Sequence, residues 1–298
     1  MSQSICNDPV ALNLWYAIEP IDEVVSDKVN VSVLLGQPIA YTRGDDSAPM
    51  FWTCERGKVP DERPDHSSLL PVRENYGYVW TCLGTPQGDL FPIPQYAETD
   101  RRNIHAATFG VNVSAPRLIE NFLDMGHFPY VHTDILGVEP HTEVKEYQVE
   151  VSEERDEILA TNCKFFQPMA AAASDGGADV DYIYRVPHPY CSILYKSCPN
   201  DESRMDVIAV FIQPVSEEKV RAHMMLSLLD DDTKDLDIRM FQQTIFGQDK
   251  PILENQYPKR LPLDPRAETP IRADKSAIAY RRWLSKKGIT YGVIPVAA

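Results

Sequence analysis

Asn121-Phe122-Leu123-Asp124-Met125-Gly126-His127-Phe128-Pro129-Tyr130-Val131-His132 carries two imidazoles and a carboxylate in one short stretch. The apolar spacing over Leu118–Met125 predicts a helix with one apolar face. Asn121, Asp124 and His127 follow at three-residue steps, so we expect them along one side of that helix. The rest of the chain is expected to hold these side chains in place.

His132 does not fit the same helix face. Five residues beyond His127 it would point about 140° away on a continuous helix. Pro129 disfavours helix at the preceding residue, so we expect the helix to end there and His132 to turn back. Two neutral histidines then need one carboxylate to form the facial triad of a non-haem Fe(II) site, and Asp124 is placed to accept a ligand's second ring N–H. Two unrelated structural histidines are the simpler alternative.

The motif resembles the mononuclear iron site in the catalytic subunits of Rieske non-haem iron oxygenases, which include oxidative N- and O-demethylases. The resemblance implies that His127 and His132 bind Fe(II), that Asp124 bridges towards an iron–sulfur cluster, and that Asn121 lies beside the site. The family's third ligand lies in a late helix with the pattern D-K-x-x-[IVL]-E-x-Q, which matches Asp249-Lys250-Pro251-Ile252-Leu253-Glu254-Asn255-Gln256. Asp249 is therefore the implied third ligand. From the residues alone, Asp235, Asp237 and Glu254 remain open.

Composition bounds the possible partners. The chain has 298 residues, 43% of them hydrophobic, enough for one large or two modest domains. The formal charge of −15 argues against binding to nucleic acid or anionic membranes. The first residues lack a signal-peptide pattern, and no apolar stretch is long enough to span a bilayer. Six scattered cysteines without framework spacing favour reduced thiols, so we expect a cytoplasmic protein.

The first 95 residues predict an all-β unit. Strands are expected at Leu14–Ile18, at Val29–Leu35 and Gly36–Tyr41 around a turn, and at Tyr76–Gly84. These pieces are similar to the scaffold of a Rieske domain, which needs C-x-H and C-x-x-H pairs. Neither pair occurs around Cys54, His66 or Cys82, and the polar run Glu55–His66 is expected to be a solvated loop. We therefore predict a reduced Rieske-like domain, residues 1–95, without iron–sulfur ligands.

Phe91-Pro92-Ile93-Pro94 predicts a boundary, since prolines stiffen a connector. The second domain, residues 96–298, is expected to be antiparallel sheet followed by a helix over Thr233–Tyr257, whose apolar positions include Leu236, Met240, Ile245 and Leu253. Pro251 predicts a local kink with Gly247. The remaining predictions are a small-residue loop at Ala170–Gly177, a final helix at Ala273–Lys287, and strands at Thr108–Val113, Val144–Val151, Ile158–Phe166, Asp181–Val186, Ser192–Ser197, Met205–Ile212 and Val220–Leu229. The family resemblance implies an α+β helix-grip (START-like) catalytic domain.

The same resemblance implies the activity. Part of the chain is similar to methylxanthine N-demethylases, namely the stretch from Asp249 through Asp274-Lys275, Tyr280 and Trp283. This similarity implies an Fe(II)- and O2-dependent monooxygenase that demethylates an N-methylated heteroaromatic and releases formaldehyde. Electrons would come from NAD(P)H through a separate Rieske-containing reductase or ferredoxin. A trimer-based homo- or hetero-oligomer, with or without a further structural subunit, is implied as well. Gln242, Ile245 and Phe246 are expected to contact the substrate, although the two apolar residues are equally explained as core.

Three other functions remain open at this point. The chain could be an O-demethylase or a ring or side-chain hydroxylase of an aromatic substrate. It could also be a non-catalytic ligand-binding or structural subunit of an oxygenase complex, although such a subunit would have no need for the complete ligand set. A zinc hydrolase with the same three ligands lacks an evident general base. His105, His141, His188 and His223 are interpreted as structural.

Overall fold

The computed structural model describes residues 4–26, 28–44, 47–60, 64, 68–171, 176–198, 201–230 and 232–296. His66 and part of the predicted Ala170–Gly177 loop lie outside these ranges. The N-terminal part contains a short helix, α1 (Pro9–Leu12), and two three-stranded antiparallel sheets. One sheet has the order β1-β6-β5 and the other β2-β3-β4. The strand bounds are Tyr16–Pro20 (β1), Asn30–Leu34 (β2), Gln37–Arg43 (β3), Pro49–Thr53 (β4), Val72–Asn75 (β5) and Tyr78–Thr81 (β6).

The predicted turn between β2 and β3 is confirmed. Leu35 and Gly36 connect the strands with φ values of 52° and 81°. A Cβ on Gly36 would also come 2.5 Å from the carbonyl oxygen of Ser4, so glycine is required by space as well as by φ. The strands β4 and β5 were not predicted, because β4 begins with Pro49 and the four-residue β5 carries two adjacent charged residues, Arg73 and Glu74, as a loop often does.

The remainder of the chain is built on one seven-stranded antiparallel sheet, as predicted. Its order is β7-β13-β12-β11-β10-β9-β8, so consecutive strands from β8 to β13 are neighbours and β7 closes the far edge. The strand bounds are Arg102–Val111 (β7), Gln148–Ser152 (β8), Glu157–Gln167 (β9), Ala178–His188 (β10), Cys191–Cys198 (β11), Asp201–Ser216 (β12) and Lys219–Leu228 (β13).

The outer face of this sheet packs on the N-terminal part. Ile193, Val207 and Phe211 lie in one buried cluster with Tyr78 and Trp80 of β6. The N–H of Leu35 donates to the carbonyl of Pro214 at 2.7 Å, which ties the β2–β3 turn to β12. The predicted connector is also part of this contact, because Phe91 packs against the cluster and Ile93 is buried within it. The division into domains 1–95 and 96–298 stays a prediction.

The inner face of the sheet is covered by helices. These are α2 (Ala115–Leu123), α3 (Phe128–Val131), α4 (Asp235–Asn255) and α5 (Lys275–Lys287), and a short parallel pair, β14 (Leu261–Pro262) and β15 (Val293–Ile294), completes the fold. In α5, Tyr280 and Trp283 are buried as predicted, while Ile278 is only half-buried. No helix among the described residues is both long and apolar enough to cross a membrane.

The buried face of α4 differs from the prediction. Leu236 and Met240 are 65% and 56% exposed, and the buried positions are Ile238, Gln242, Phe246, Asp249 and Leu253. Leu253 is buried as predicted and Ile245 is half-buried, so the prediction is wrong for Leu236 and Met240, because two of the five buried side chains are polar. Pro251 lies inside the helix, which continues to Asn255.

Candidate metal centre and adjoining cavity

The helix α2 begins at a capped residue, Ser114, and ends at Leu123, before the predicted break at Pro129. The Ser114 hydroxyl accepts the N–H of Arg117 at 3.3 Å. The helix ends at Leu123, and Asp124 is extended, with φ −86° and ψ 125°. The Asp124 carboxylate accepts the N–H of Gly126 at 2.7 Å, a local bond that replaces the next helical turn. The prediction that Asn121, Asp124 and His127 share one helix face is therefore wrong.

The interruption of the helix is also not caused by Pro129, contrary to the prediction. Pro129 occupies the first turn of α3, where its missing N–H costs no helical hydrogen bond, so it starts a helix and does not end one. His127 precedes this single turn and His132 follows it. The two imidazoles consequently converge across α3, and their Nε2 atoms are 3.2 Å apart.

Asp249 completes a compact group of three ligand atoms. Its Oδ1 lies 3.3 Å from Nε2 of His127 and 3.1 Å from Nε2 of His132. If nitrogen and carboxylate donors lie about 2.1 Å from a divalent ion and adjacent bonds are at right angles, the donors are about 3.0 Å apart. The observed triangle fits that spacing. It is the one group of three or more potential ligands found among the described residues.

The hydrogen-bonding state of Asp249 also fits a cation. Its Oδ1 is fully buried and has no hydrogen-bond partner within the described part of the chain, although it faces both imidazoles. Two of the three other acids left open by the sequence have partners elsewhere, since Asp235 pairs with Arg102 and Glu254 accepts the N–H of Asn112, and Asp237 is not in the ligand group. Geometry therefore favours Asp249 as the third ligand.

The charged side chains around His127, His132 and Asp249 favour a positive charge between them. Burial acts to lower the pKa of His127, but the carboxylates of Asp124 and Asp249 beside its ring outweigh burial and raise that pKa to about 9. Burial acts to raise the pKa of Asp249, and the adjacent imidazoles of His127 and His132 reverse this and lower it. In both cases the two carboxylates and two imidazoles stabilise added positive charge between them.

Each histidine has an outer partner that fixes its ring. Nδ1 of His127 lies 2.9 Å from Oδ2 of Asp124, as the sequence predicted. Nδ1 of His132 lies 2.8 Å from Oε1 of Gln248, which the sequence analysis missed. A carboxylate and an amide oxygen can only accept, so both Nδ1 atoms carry a proton, and a metal ion at the shared centre would take the place of a proton on Nε2. The need of His132 for an acceptor was the signal that could have identified Gln248.

A buried ion cluster holds α2, and with it Asn121 and Asp124. Arg117 is fully buried and pairs with Glu120 at 3.2 Å and with Glu268 at 2.5 Å. Arg281 of α5 donates to Glu120 at 2.6 Å and also pairs with Glu268. These four side chains alternate in sign, so each buried charge is compensated by hydrogen bonds.

A cavity opens from the ligand atoms towards the inner face of the sheet. Asn121, Gln242, Ile245 and Phe246 line it together with His127, His132 and Asp249. Its other walls are largely aromatic and aliphatic, and include Phe122, Phe128, Tyr182, Tyr184, Leu194 and Met224. Phe246 also stacks on Phe109, with ring centroids 4.2 Å apart, so it belongs to both the core and the cavity wall.

A second opening reaches the same ligands from outside. This outer cleft is lined by Asn121, Asp124, His127, Ile252 and Gln256, among others. Asn121 and His127 line both the cavity and the outer cleft, whereas Asp124 lines only the cleft. The Asp124 side chain is 33% exposed, so it is the polar link between the ligand group and the surface.

The remaining histidines have other partners. His105 Nδ1 bonds the hydroxyl of Tyr78 at 2.5 Å, and His223 Nδ1 bonds Thr108 at 2.9 Å. His188 accepts the N–H of Tyr190, and His141 packs on Phe166. None of the four joins the ligand group in the described structure.

Comparison with known proteins identifies the family. Residues 111–288 match the family described as Vanillate O-demethylase oxygenase C-terminal domain. Over 278 residues the chain is 45% identical to a probable methylxanthine N7-demethylase of Pseudomonas sp. strain TJI-51, covering 93% of this chain and 95% of that protein. The chain belongs to the Rieske non-haem iron oxygenase family. The family resemblance inferred from Asn121–His132 is thereby confirmed, and the roles of its individual residues stay predictions.

More distant members share the fold of this oxygenase. It is 24% identical over 234 residues to a methylxanthine N1-demethylase of Pseudomonas putida, covering 78% of this chain and 63% of that protein. The solved structure of NdmA from Pseudomonas putida CBB5 with caffeine has a TM-score of 0.71 at 19% identity and covers 94% of this chain and 92% of the other. Dicamba monooxygenase bound to dicamba has a TM-score of 0.71 at 18% identity and covers 93% and 97%.

Proposed function

We propose that this oxygenase is an Fe(II)- and O2-dependent monooxygenase that removes the N7-methyl group of a methylxanthine-like heteroaromatic as formaldehyde. The observation that carries the proposal is the triangle of His127, His132 and Asp249 at the end of a largely aromatic cavity. The relative that is 45% identical is a probable methylxanthine N7-demethylase, which supports this substrate class and this methyl position.

The proposed iron ligands are His127, His132 and Asp249. Bound Fe(II) would supply open coordination positions for dioxygen activation beside the substrate. Asp124 and Gln248 keep the two Nδ1 protons in place, so the Nε2 atoms stay available as ligands. The buried walls exclude water from the reacting methyl group.

The cavity is suited to a flat heteroaromatic ring. Phe122, Tyr184 and Ile245 provide apolar surface, while the amides of Asn121 and Gln242 make no side-chain hydrogen bond within the described structure. Gln242 precedes Asp249 by seven residues, which is about 10 Å along a helix axis and comparable with the length of a two-ring substrate. We assign Gln242 to a ring carbonyl or N–H, Ile245 and Phe246 to the ring face, and the methyl group to the ligand end.

The overall reaction balances as a monooxygenation. The N-methyl compound, O2, NAD(P)H and a proton give the N–H compound, formaldehyde, water and NAD(P)+. One oxygen atom enters a methyl C–H bond, and the resulting N-hydroxymethyl group loses formaldehyde. In that last step the C–N bond breaks, the hydroxyl oxygen loses its proton as the C=O bond forms, and the ring nitrogen gains a proton.

We propose that the electrons come from a separate Rieske-containing reductase or ferredoxin, because the first 95 residues lack C-x-H and C-x-x-H pairs. The donor would dock at the outer cleft, where Asp124 reaches the surface and Ile252 is 52% exposed. Asp124 would then connect the donor's cluster to His127 through one hydrogen bond.

We also propose a division into two domains and an oligomeric state. Residues 1–95 would be a reduced Rieske-like domain without a cluster, and residues 96–298 a helix-grip catalytic domain in which the seven-stranded sheet surrounds α4. A trimer-based assembly, homo- or hetero-oligomeric, would place the donor beside the outer cleft.

The experiment combines the protein, Fe(II), a Rieske reductase and NADH with 7-methylxanthine, and measures O2 uptake and formaldehyde. The proposal expects formaldehyde in proportion to the demethylated product, and no formaldehyde without O2. Formaldehyde from an aryl methyl ether but not from N-methylated purines would instead favour O-demethylation. Ligand binding without any turnover or iron would favour a non-catalytic subunit.

A further inference from the structure

A buried lysine lies in the cavity opposite the helices. Lys196 of β11 is 7% exposed and lines the same cavity as His127 and Asp249. On the inner sheet face it has Leu194 two residues earlier, Tyr182 directly opposite on β10 and Asp206 directly opposite on β12. Among the cavity-lining residues that the structure describes, Lys196 is the only lysine or arginine.

Contacts connect Lys196 to the ligand end of the cavity. The Phe128 ring packs edge-on against His127, with centroids 5.0 Å apart, and against Tyr182, with centroids 6.3 Å apart. Nζ of Lys196 in turn lies 5.8 Å from the centroid of the Tyr182 ring. Aromatic side chains therefore connect the ligand end of the cavity with the ammonium group along one wall.

The protein compensates this charge only in part. Nζ donates to Oε1 of Gln167 at 2.8 Å and to the carbonyl of Ala170, and both acceptors are neutral. Within the described residues no carboxylate forms an ion pair with Lys196. Asp206, its partner on β12, instead accepts the N–H of Leu229 at 2.9 Å. An ammonium has three donors, and within the described part of the chain two of them have acceptors, which leaves one for a ligand.

The lysine nevertheless stays charged at neutral pH. Burial lowers its pKa from 10.5 to about 8, and the nearby Asp206 acts in the opposite direction. A buried ammonium with an unused donor is costly, and an oxygen acceptor brought by a ligand would reduce that cost.

We infer that Lys196 is a specificity-determining residue whose third N–H donates to a ring carbonyl oxygen of the substrate. Gln167 and Ala170 hold the ammonium in position, and Gln167 is itself fixed by Tyr182. The inference rests on the proposed function, because it names the substrate feature that the same cavity selects: a methylated heteroaromatic bearing a carbonyl oxygen.

The test compares two ligands that differ in carbonyl groups. Dissociation constants of 7-methylxanthine and of 7-methylpurine, which lacks both carbonyls, are measured by calorimetry with wild type and Lys196→Met. We expect the variant to bind 7-methylxanthine about 10- to 100-fold more weakly and 7-methylpurine within about twofold of wild type. Lys164→Met is the control, because Lys164 lies on β9, two strands from β11 in the same sheet, with a 54% exposed side chain.

Lys196→Gln, which keeps an N–H donor without the charge, is measured in parallel and replaces the methionine variant if that variant does not fold. Unchanged binding of 7-methylxanthine, equal losses for both ligands, or no binding of either ligand to wild type would overturn the inference. Formaldehyde release by wild type tests the proposed function separately. Turnover of 7-methylxanthine with a KM insensitive to Lys196 would overturn the inference and leave the demethylase proposal standing.

Discussion

Nδ1 of His132 lies 2.8 Å from Oε1 of Gln248, the residue immediately before Asp249 in α4. Consecutive residues of one helix therefore contact both nitrogens of the same imidazole, since Asp249 Oδ1 is 3.1 Å from Nε2. This double contact fixes both the position and the tautomer of His132. The geometry of the ligand group therefore depends on the position of α4.

Removal of the Gln248 acceptor should weaken metal binding without unfolding the protein. We expect Gln248→Leu to lower Fe(II) affinity by about 10- to 100-fold, because the His132 ring loses the partner that orients it. Titration of the metal-free protein with Fe(II) measures the effect. Gln243→Leu is the control, since Gln243 donates to the carbonyl of Ala106 on β7. Equal losses in the two variants would mean that the effect comes from α4 as a whole.

Asp124→Asn should separate iron binding from electron delivery. The amide oxygen can still accept from His127 Nδ1, so we expect iron to be retained, while formaldehyde release falls by about 10- to 100-fold. Iron content and 7-methylxanthine binding are measured on the same preparation. Iron loss in proportion to lost activity would assign Asp124 to ligand positioning only.

The buried ion cluster should stabilise the fold in a pH-dependent manner. Burial acts to raise the pKa of Glu268, but hydrogen bonds from Arg117 and Arg281 outweigh burial and lower it below the ordinary value of 4.5. Glu268 therefore contributes stability above that value, and the contribution is lost as the pH falls through the folded-state pKa. We expect Glu268→Gln to lower the free energy of unfolding by about 1–2 kcal/mol at neutral pH.

Urea unfolding of wild type and Glu268→Gln from pH 7 down to pH 3 measures this difference. The two curves should converge in acid. Glu217→Gln is the control, because Glu217 forms a 3.5 Å surface pair with Arg260 and should change stability little at any pH. A Glu268→Gln deficit that is constant with pH would exclude a charge effect.

The outer cleft should be the docking site of the electron donor. Ile252→Glu would place a negative charge on an apolar part of the cleft that Asp124 also lines. We therefore expect the KM for the reductase to rise about tenfold, a change of about 1.4 kcal/mol. Iron content and 7-methylxanthine affinity should stay the same. Leu236→Glu, at a 65% exposed position in the first turn of α4, is the control. A similar rise in both variants would contradict docking at the cleft.

The sequence was sufficient for the strands of the large sheet and for the two candidate histidine ligands. Runs rich in β-branched and aromatic side chains indicated all seven strands of that sheet, which packs on β6 at one face and on the helices at the other. The choice of Asp249 over Asp235 and Glu254 depended on the family resemblance, since isolated acids on a helix look alike. Geometry then separated them through contacts with two histidines.

Other features could not be predicted because they depend on distant partners. The buried face of α4 includes Gln242 and Asp249, so hydrophobic spacing pointed to Leu236 and Met240, which are exposed. The end of α2 is set by the side chain of Asp124 and not by Pro129. Lys196 was not singled out at all, since a lysine at the end of a strand is usually solvated.

The most direct test of the central claim measures metal content and turnover together, in wild type and in His127→Ala. Wild type should hold one iron per chain without iron–sulfur absorbance, and should release formaldehyde from 7-methylxanthine with O2, NADH and a separate Rieske reductase. His127→Ala should lose both iron and turnover, while His141→Ala, at an exposed histidine, should keep both. Turnover that survives in His127→Ala, or a wild type that binds 7-methylxanthine but holds no iron and releases no formaldehyde, would contradict the account.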